Sequence, residues 1–142
     1  MNFKSIERVI VPVDLEDPTP DALGAALEIA GDPKGVHVLY VLPVLGGSMM
    51  PRIDDAKRVG NSEKALRGWL EEQGAPGTVQ THVKVGEVGH ITEALCSTID
   101  AQLVVIRSHS RTGLRRALLG SVADRITRLV PCPVLLLKAP RD

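Results

Sequence analysis

Val9-Ile10-Val11-Pro12-Val13-Asp14 is an unbroken apolar run with four β-branched residues, ending on a carboxylate. Continuous rather than alternating apolarity is what a strand buried on both faces requires. Thr19-Pro20-Asp21 follows, read as an N-cap residue, a proline at the first helical position and an acid in the first turn. They open a helix with Leu23, Ala26, Leu27 and Ala30 on one face, and Gly31 closes it.

The same alternation continues along the chain. Val36 to Val44 reads as a second strand, and Asn61 or Ser62 to Gln73 as a second helix with Leu66, Trp69 and Leu70 as its apolar stripe. Val79 to Val85 alternates apolar with polar residues, so this strand has one wetter face and is expected near a sheet edge. A short helix from Gly89 to Thr98, with Ile91, Ala94 and Leu95 inward, leads to the most apolar strand, Leu103-Val104-Val105-Ile106. Ser121 to Val130 carries Val122, Ile126 and Leu129 at helical spacing, Pro131 ends it, and Pro133 to Leu137 is the last strand. Five strands alternating with four helices give a three-layer α/β/α sandwich around a Rossmann-like, doubly wound parallel sheet, because parallel neighbours need crossover helices.

At 142 residues, the chain is read as a single domain, 1–142. It is 44% hydrophobic and 24% charged, with mean hydropathy +0.07, the composition of a globular protein. The longest apolar runs fall far short of a bilayer span, and Lys4, Glu7 and Arg8 precede any apolar segment, so the expectation is a cytoplasmic protein without a secretory signal. Only Phe3, Tyr40 and Trp69 are aromatic, which argues against base-stacking nucleic-acid modules. Cys96 and Cys132 have no CxxC or Cys/His spacing and read as core or near-core thiols rather than zinc ligands or a disulfide framework. His37, His82 and His90 share no metal-ligand spacing.

Two stretches fit no element, Pro43 to Gly60 and Ser108 to Leu119. The second follows the most buried strand, and ligands of open α/β sheets bind beyond the carboxyl ends of the strands, where the strand order reverses. Gly120-Ser121, with Asp124 three positions on, has the form of an N-cap with an acidic partner, and a helix start of that kind also suits a phosphate. The net charge is zero, from 17 basic and 17 acidic residues. That zero conceals six arginines (107, 111, 115, 116, 125 and 128) against one acid, Asp124, between Arg107 and Arg128, a local +5. The remaining chain carries 11 basic and 16 acidic residues, or −5. A generally basic nucleic-acid binder is not indicated, whereas a local anion site is.

Arg107-Ser108-His109-Ser110-Arg111-Thr112-Gly113 through Gly120-Ser121, followed by Pro131-Cys132-Pro133-Val134-Leu135, resembles the universal stress protein family, with its Gly-x2-Gly-x9-Gly-Ser/Thr loop and Pro-Cys-Pro before the last strand. Ile10 to Asp14 and Val85-Gly86-Glu87 resemble that family's first and third strands. The resemblance implies strand order 3-2-1-4-5 and a homodimer through the last strand, Pro133 to Leu137. It also implies adenine and ribose near Pro12, Val13, Asp14 and Val41 and phosphates on Gly120, Ser121 and Val122, with Ile106, Arg107, Ser110 and Arg111 as further nucleotide-binding candidates. The implied ligand is ATP or another adenine nucleotide, with Mg²⁺. The first two glycines of the motif are here Arg107 and Ser110, and only Gly120-Ser121 stands intact. Arginine at 107 would either fill the ribose-phosphate space or turn outward and clamp phosphate. The expected function is a regulatory binding module, with a non-nucleotide member acting through dimerisation and protein partners as the alternative.

Other candidates are weaker. Asp14 as acid or base lacks a partner and reads equally well as a strand-end cap. His109 between Ser108 and Ser110 is no triad, and slow ATP hydrolysis lacks a metal-binding carboxylate beside the loop and a positioned base. Gly86-Glu87-Val88-Gly89 reads as a turn, and Met49-Met50 as adaptable apolar filler over a pocket or dimer surface.

Overall fold

The alternating periods resolve into five strands and four helices: β1 (Val9–Pro12), α1 (Asp21–Ala30), β2 (Val36–Leu42), α2 (Asp55–Glu72), β3 (Gln80–Val85), α3 (Val88–Ile99), β4 (Leu103–Arg107), α4 (Ser121–Leu129) and β5 (Val134–Leu137). The computed structural model describes residues 5–18, 20–45, 54–108 and 119–138. All strand pairings are parallel, in the order β3-β2-β1-β4-β5, as expected.

Two apolar layers sandwich the sheet. Val9, Val11, Val36, Val38, Leu103 and Val105 face Leu23, Ala26, Leu66 and Trp69 of α1 and α2. Ile10, Leu39, Val104 and Ile106 face Leu95 and Cys96 of α3 and Ala123 and Ile126 of α4. Val9, Ile10, Val11, Val104 and Val105 have no exposed surface, which is why these strands read as unbroken apolar runs. At their amino ends β1 and β4 are stitched together by Gln102: its Oε1 accepts from the amides of Glu7 (2.8 Å) and Arg8 (3.1 Å), and its Nε2 donates to the Ser5 carbonyl (2.9 Å).

Several local expectations need correction. Helix α1 begins at Asp21 with Pro20 at the cap position and no side-chain cap, while Thr19 lies outside the described residues. Gly31, at φ +76°, closes it as expected. Helix α2 starts at Asp55, because Arg58 bonds both Asp55 Oδ1 (2.8 Å) and the Pro43 carbonyl (2.9 Å), pinning a turn that Gly60 and Asn61 alone would not announce. It ends in a Schellman turn, Ala75 N–H to Leu70 O and Gly74 N–H to Glu71 O, with Gly74 at φ +73°. In α3, Ala94 is exposed and the inward polar residue is Thr92, whose hydroxyl donates to the Val88 carbonyl at 2.6 Å. Val122 of α4 is 50% exposed rather than inward.

On the face of the sheet turned toward α3 and α4, neighbouring strands bring His37 and His82 together, Nδ1 to Nε2 at 2.9 Å with the rings stacked. Burial, then the second imidazole, lowers the His37 pKa; burial, then Lys84, lowers that of His82. The folded pair therefore resists protonation, and the unfolded chain takes up protons first as pH falls below the ordinary value of 6.5. Its stability contribution is fully present above that value and is lost as pH falls through the lower folded values. Urea titrations at pH 8 and pH 5 should show a stability loss on acidification that His82→Gln reduces; an identical slope in that variant would remove the pair as its source.

A Cβ at Gly35, in the turn before β2, would run into the carbonyl oxygen of Glu7. That atom is backbone and cannot swing aside, so Gly35→Ala is expected to cost about 1–3 kcal/mol. Unchanged denaturant stability would contradict the close approach.

Candidate functional site

The strands part at the carboxyl end of the sheet. β1 pairs with β2 as far as Pro12↔Leu39, but with β4 only at Val9↔Leu103 and Ile10↔Val104. Val13 N–H donates to Leu39 of β2 at 2.9 Å, so by strand alternation the nitrogen of Pro12 faces β4, where a proline has no hydrogen to give. A cavity of about 450 Å³ opens at this point. It is the switch point of the strand order, the place where such sheets take ligands.

Of the residues expected there, Pro12, Val13, Asp14, Val41, Ile106, Arg107 and Val122 line the cavity. Gly120 and Ser121 are not among its lining residues; Ser108 N–H bonds the Leu137 carbonyl (2.9 Å), and the Ser108 carbonyl accepts from Gly120 (2.8 Å), setting the start of α4 beyond the end of β4. Gly120, not Ser121, is the capping residue; no side chain caps the helix, and Asp124 N–H to Gly120 O is its first backbone bond. Ser121 therefore does not form the expected cap. Ser110 and Arg111 lie outside the described residues, as do Arg115, Arg116, His109 and Met49-Met50.

Asp14 fills the strand-end role foreseen as one of its alternatives, since its Oδ1 accepts from the Glu16 amide at 2.9 Å. Beside it the cavity wall carries Glu16, Asp17 and Tyr40, none of them anticipated. Burial, then the carboxylates of Asp14 and Glu16, raises the Tyr40 phenol above its ordinary value of 10. The only hint in the sequence was the net negative charge of the chain outside 107–128, which the fold brings to the same cavity.

Among the described residues, Arg107 is the cation of the lining. Its side chain is 11% exposed, its Nη1 lies 3.8 Å from Asp21 Oδ2 at the start of α1, and its buried Nε has no hydrogen-bond partner among the described residues. The other described arginines of the basic stretch are engaged elsewhere: Arg128 with Asp124 (3.1 Å), and Arg125 with Glu87 (3.3 Å). Glu87 caps α3 by accepting from the His90 amide (2.8 Å). Desolvation, the largest single influence, opposes it, yet the His90 amide, the Arg125 guanidinium and the Gly89 amide together hold its carboxyl down at about 2. The expected anion site thus reduces, among the described residues, to Arg107 and the start of α4, facing carboxylates across the cavity. No group of three or more histidine, cysteine or acidic side chains placed to hold a metal occurs among the described residues.

The same fold is seen in UspA of Lactobacillus plantarum, a universal stress protein (TM-score 0.69, 19% identity, covering 94% of this chain and 98% of that one). It is seen also in a universal stress protein in complex with cAMP (TM-score 0.67, 18% identity, covering 94% and 98%). In sequence, a universal stress protein of Methanocaldococcus jannaschii is 28% identical over 144 aligned positions, covering 95% of this chain and 84% of the relative. Residues 5–138 match the universal stress protein family as a whole, and the chain belongs to that family.

Proposed function

We propose that this universal stress protein is a small cytoplasmic regulatory module that binds an adenine nucleotide in the cavity between β1 and β4 and pairs as a homodimer through β5. The observation that carries the nucleotide reading is the chemistry of the two cavity walls. Carboxylates at Asp14, Glu16 and Asp17 offer acceptors for ribose hydroxyls, while Arg107 holds an unpartnered buried donor opposite them. The uncapped start of α4 adds backbone amides suited to a phosphate. The structural neighbour bound to cAMP supports an adenine ligand in this fold. With ATP, Mg²⁺ would accompany the phosphates, and the cavity carboxylates are oxygen ligands of the type it takes. With Asp14 Oδ1 held by a backbone amide, we read the site as a binding site rather than a catalytic one.

The ion pair of Arg107 with Asp21 favours a second reading, a member that holds no nucleotide and works through dimerisation and protein partners, with the arginine filling the vacated space. The two readings give Arg107 substitutions opposite signs. If the guanidinium meets phosphate, ATP with Mg²⁺ or cAMP raises the melting temperature by mass action, and Arg107→Met weakens binding roughly tenfold or more. If it fills the space, wild type shows no shift at millimolar nucleotide, and the Arg107→Gly, Ser110→Gly double variant gains one. Calorimetric titration of the three proteins separates the outcomes.

Strand β5 lies at the sheet edge with all four residues partly exposed, the kind of apolar edge that invites pairing with a second copy. Light scattering at micromolar concentration should return twice the 15.2 kDa chain mass; a species of the single-chain mass would refute the dimer.

A further inference from the structure

At the opposite end of the sheet, away from the nucleotide cavity, Cys96 of α3 and Cys132, 36 residues apart in sequence, lie with their sulfurs 3.9 Å apart. A disulfide bond is about 2.05 Å long, so closing the gap needs a side-chain movement of about 2 Å. Cys132 sits between Pro131 and Pro133, whose rings restrict the backbone on either side and hold its thiol toward α3. Cys96 is 3% exposed, whereas Cys132 is half-buried. Both line a second cavity of about 590 Å³, walled also by Ser97, Asp100, Gln102 and Ile6, large enough to admit a small polar molecule. Nothing in the nucleotide reading uses these thiols.

We propose that Cys96 and Cys132 form a redox-active dithiol that reacts with a low-molecular-weight disulfide, of which glutathione disulfide is the representative, and closes to an intramolecular disulfide. Cys132 is the attacking sulfur: it is the accessible one, and its hydrogen bond with Cys96 holds its pKa below the ordinary value of 9.0. Cys96 is the resolving sulfur, its pKa raised by the bond to Cys132 and by burial. In the first step the Cys132 thiolate attacks one sulfur of the reagent, the reagent's S–S bond breaks, and its other half leaves as a thiolate. In the second, the Cys96 thiol gives its proton to solvent, its sulfur attacks Cys132 Sγ, and the mixed disulfide breaks to release the second thiolate. The two cysteines lose two electrons and two protons, and the reagent is reduced to two thiols.

The test is incubation of the folded full-length chain with glutathione disulfide, followed by thiol counting and intact mass. Wild type should lose both thiols without a retained adduct, its mass falling by two hydrogens, with tryptic peptides 85–107 and 129–138 joined. Cys96→Ser should stop at one glutathione adduct on Cys132, and Cys132→Ser should leave Cys96 unmodified. Persistence of both wild-type thiols, a stable glutathione adduct on wild type, or cross-linking between chains in place of the internal bond would each overturn the proposal. Because wild type alone decides these outcomes, poor folding of either variant does not rescue the idea.

Discussion

Beyond Ile10 and Val104 the two central strands no longer pair, and the site depends on that separation. At the amino end the strands are held together, because the Gln102 side chain bonds three backbone groups of the segment leading into β1 and its amide donates to the Arg8 carbonyl. At the carboxyl end the backbone turns at Pro12, which has no donor for β4, and the chain follows β2 instead. A parallel sheet closed at one end and open at the other has a cleft whose floor is apolar and whose rim carries whatever polar residues terminate the strands. Here those residues are Asp14, just beyond β1, and Arg107 at the end of β4. Proline in a central strand, awkward for most sheets, is at this position the residue that ends the pairing.

The helices are fitted to that opening from both faces. Helix α1 brings Asp21 against Arg107, and the bond between Ser108 and Gly120 sets the start of α4 beside the same strand end. Glu87, capping α3 and bonded to Arg125, ties the amino end of α3 to the middle of α4 on the other face. Gly89 fits closely there, since a Cβ would press on the Leu129 methyl and on the Glu87 carboxylate, side-chain ends that would have to give way. The turn Gly86-Glu87-Val88-Gly89 is thus structural in its capping role, while Gly86 and Val88 form part of the cavity wall.

What the sequence made legible follows from how local each signal is. The runs at Val9–Val11 and Leu103–Ile106 announced central strands because burial on both faces leaves no room for polar alternation, and β3 announced its edge position through His82 and Lys84. The first turns of α2 were hidden, because their stability comes from Arg58 reaching Pro43, a contact no periodicity encodes. Val122 has the spacing of a core residue yet borders the cavity, which an apolar stripe cannot distinguish from packing. The pairings of His37 with His82 and of Cys96 with Cys132 arise from strand register and from helix packing, 45 and 36 residues across the chain. Glu16 and Asp17 were visible as charges but not as neighbours of Arg107, so the charge imbalance located only one wall of the site.

Arg107 is where folding and function are set against each other. A nearly buried guanidinium with one orphaned Nε and a single ion pair at 3.8 Å is poorly compensated, because a buried donor left without an acceptor costs about 1–3 kcal/mol. Asp21 is itself 40% exposed and can turn to solvent, which weakens the pair further. Glycine at this point would relieve the cost and enlarge the cavity, but it would leave the wall facing Asp14, Glu16 and Asp17 without the lining's cation. Among the described residues, an anionic group entering the cavity would then meet carboxylates and the amides at the start of α4, with no cation in the lining. With arginine in place, such a group would supply the acceptor that Nε lacks, so the local defect in the folded protein and the proposed preference for an anion have one physical origin.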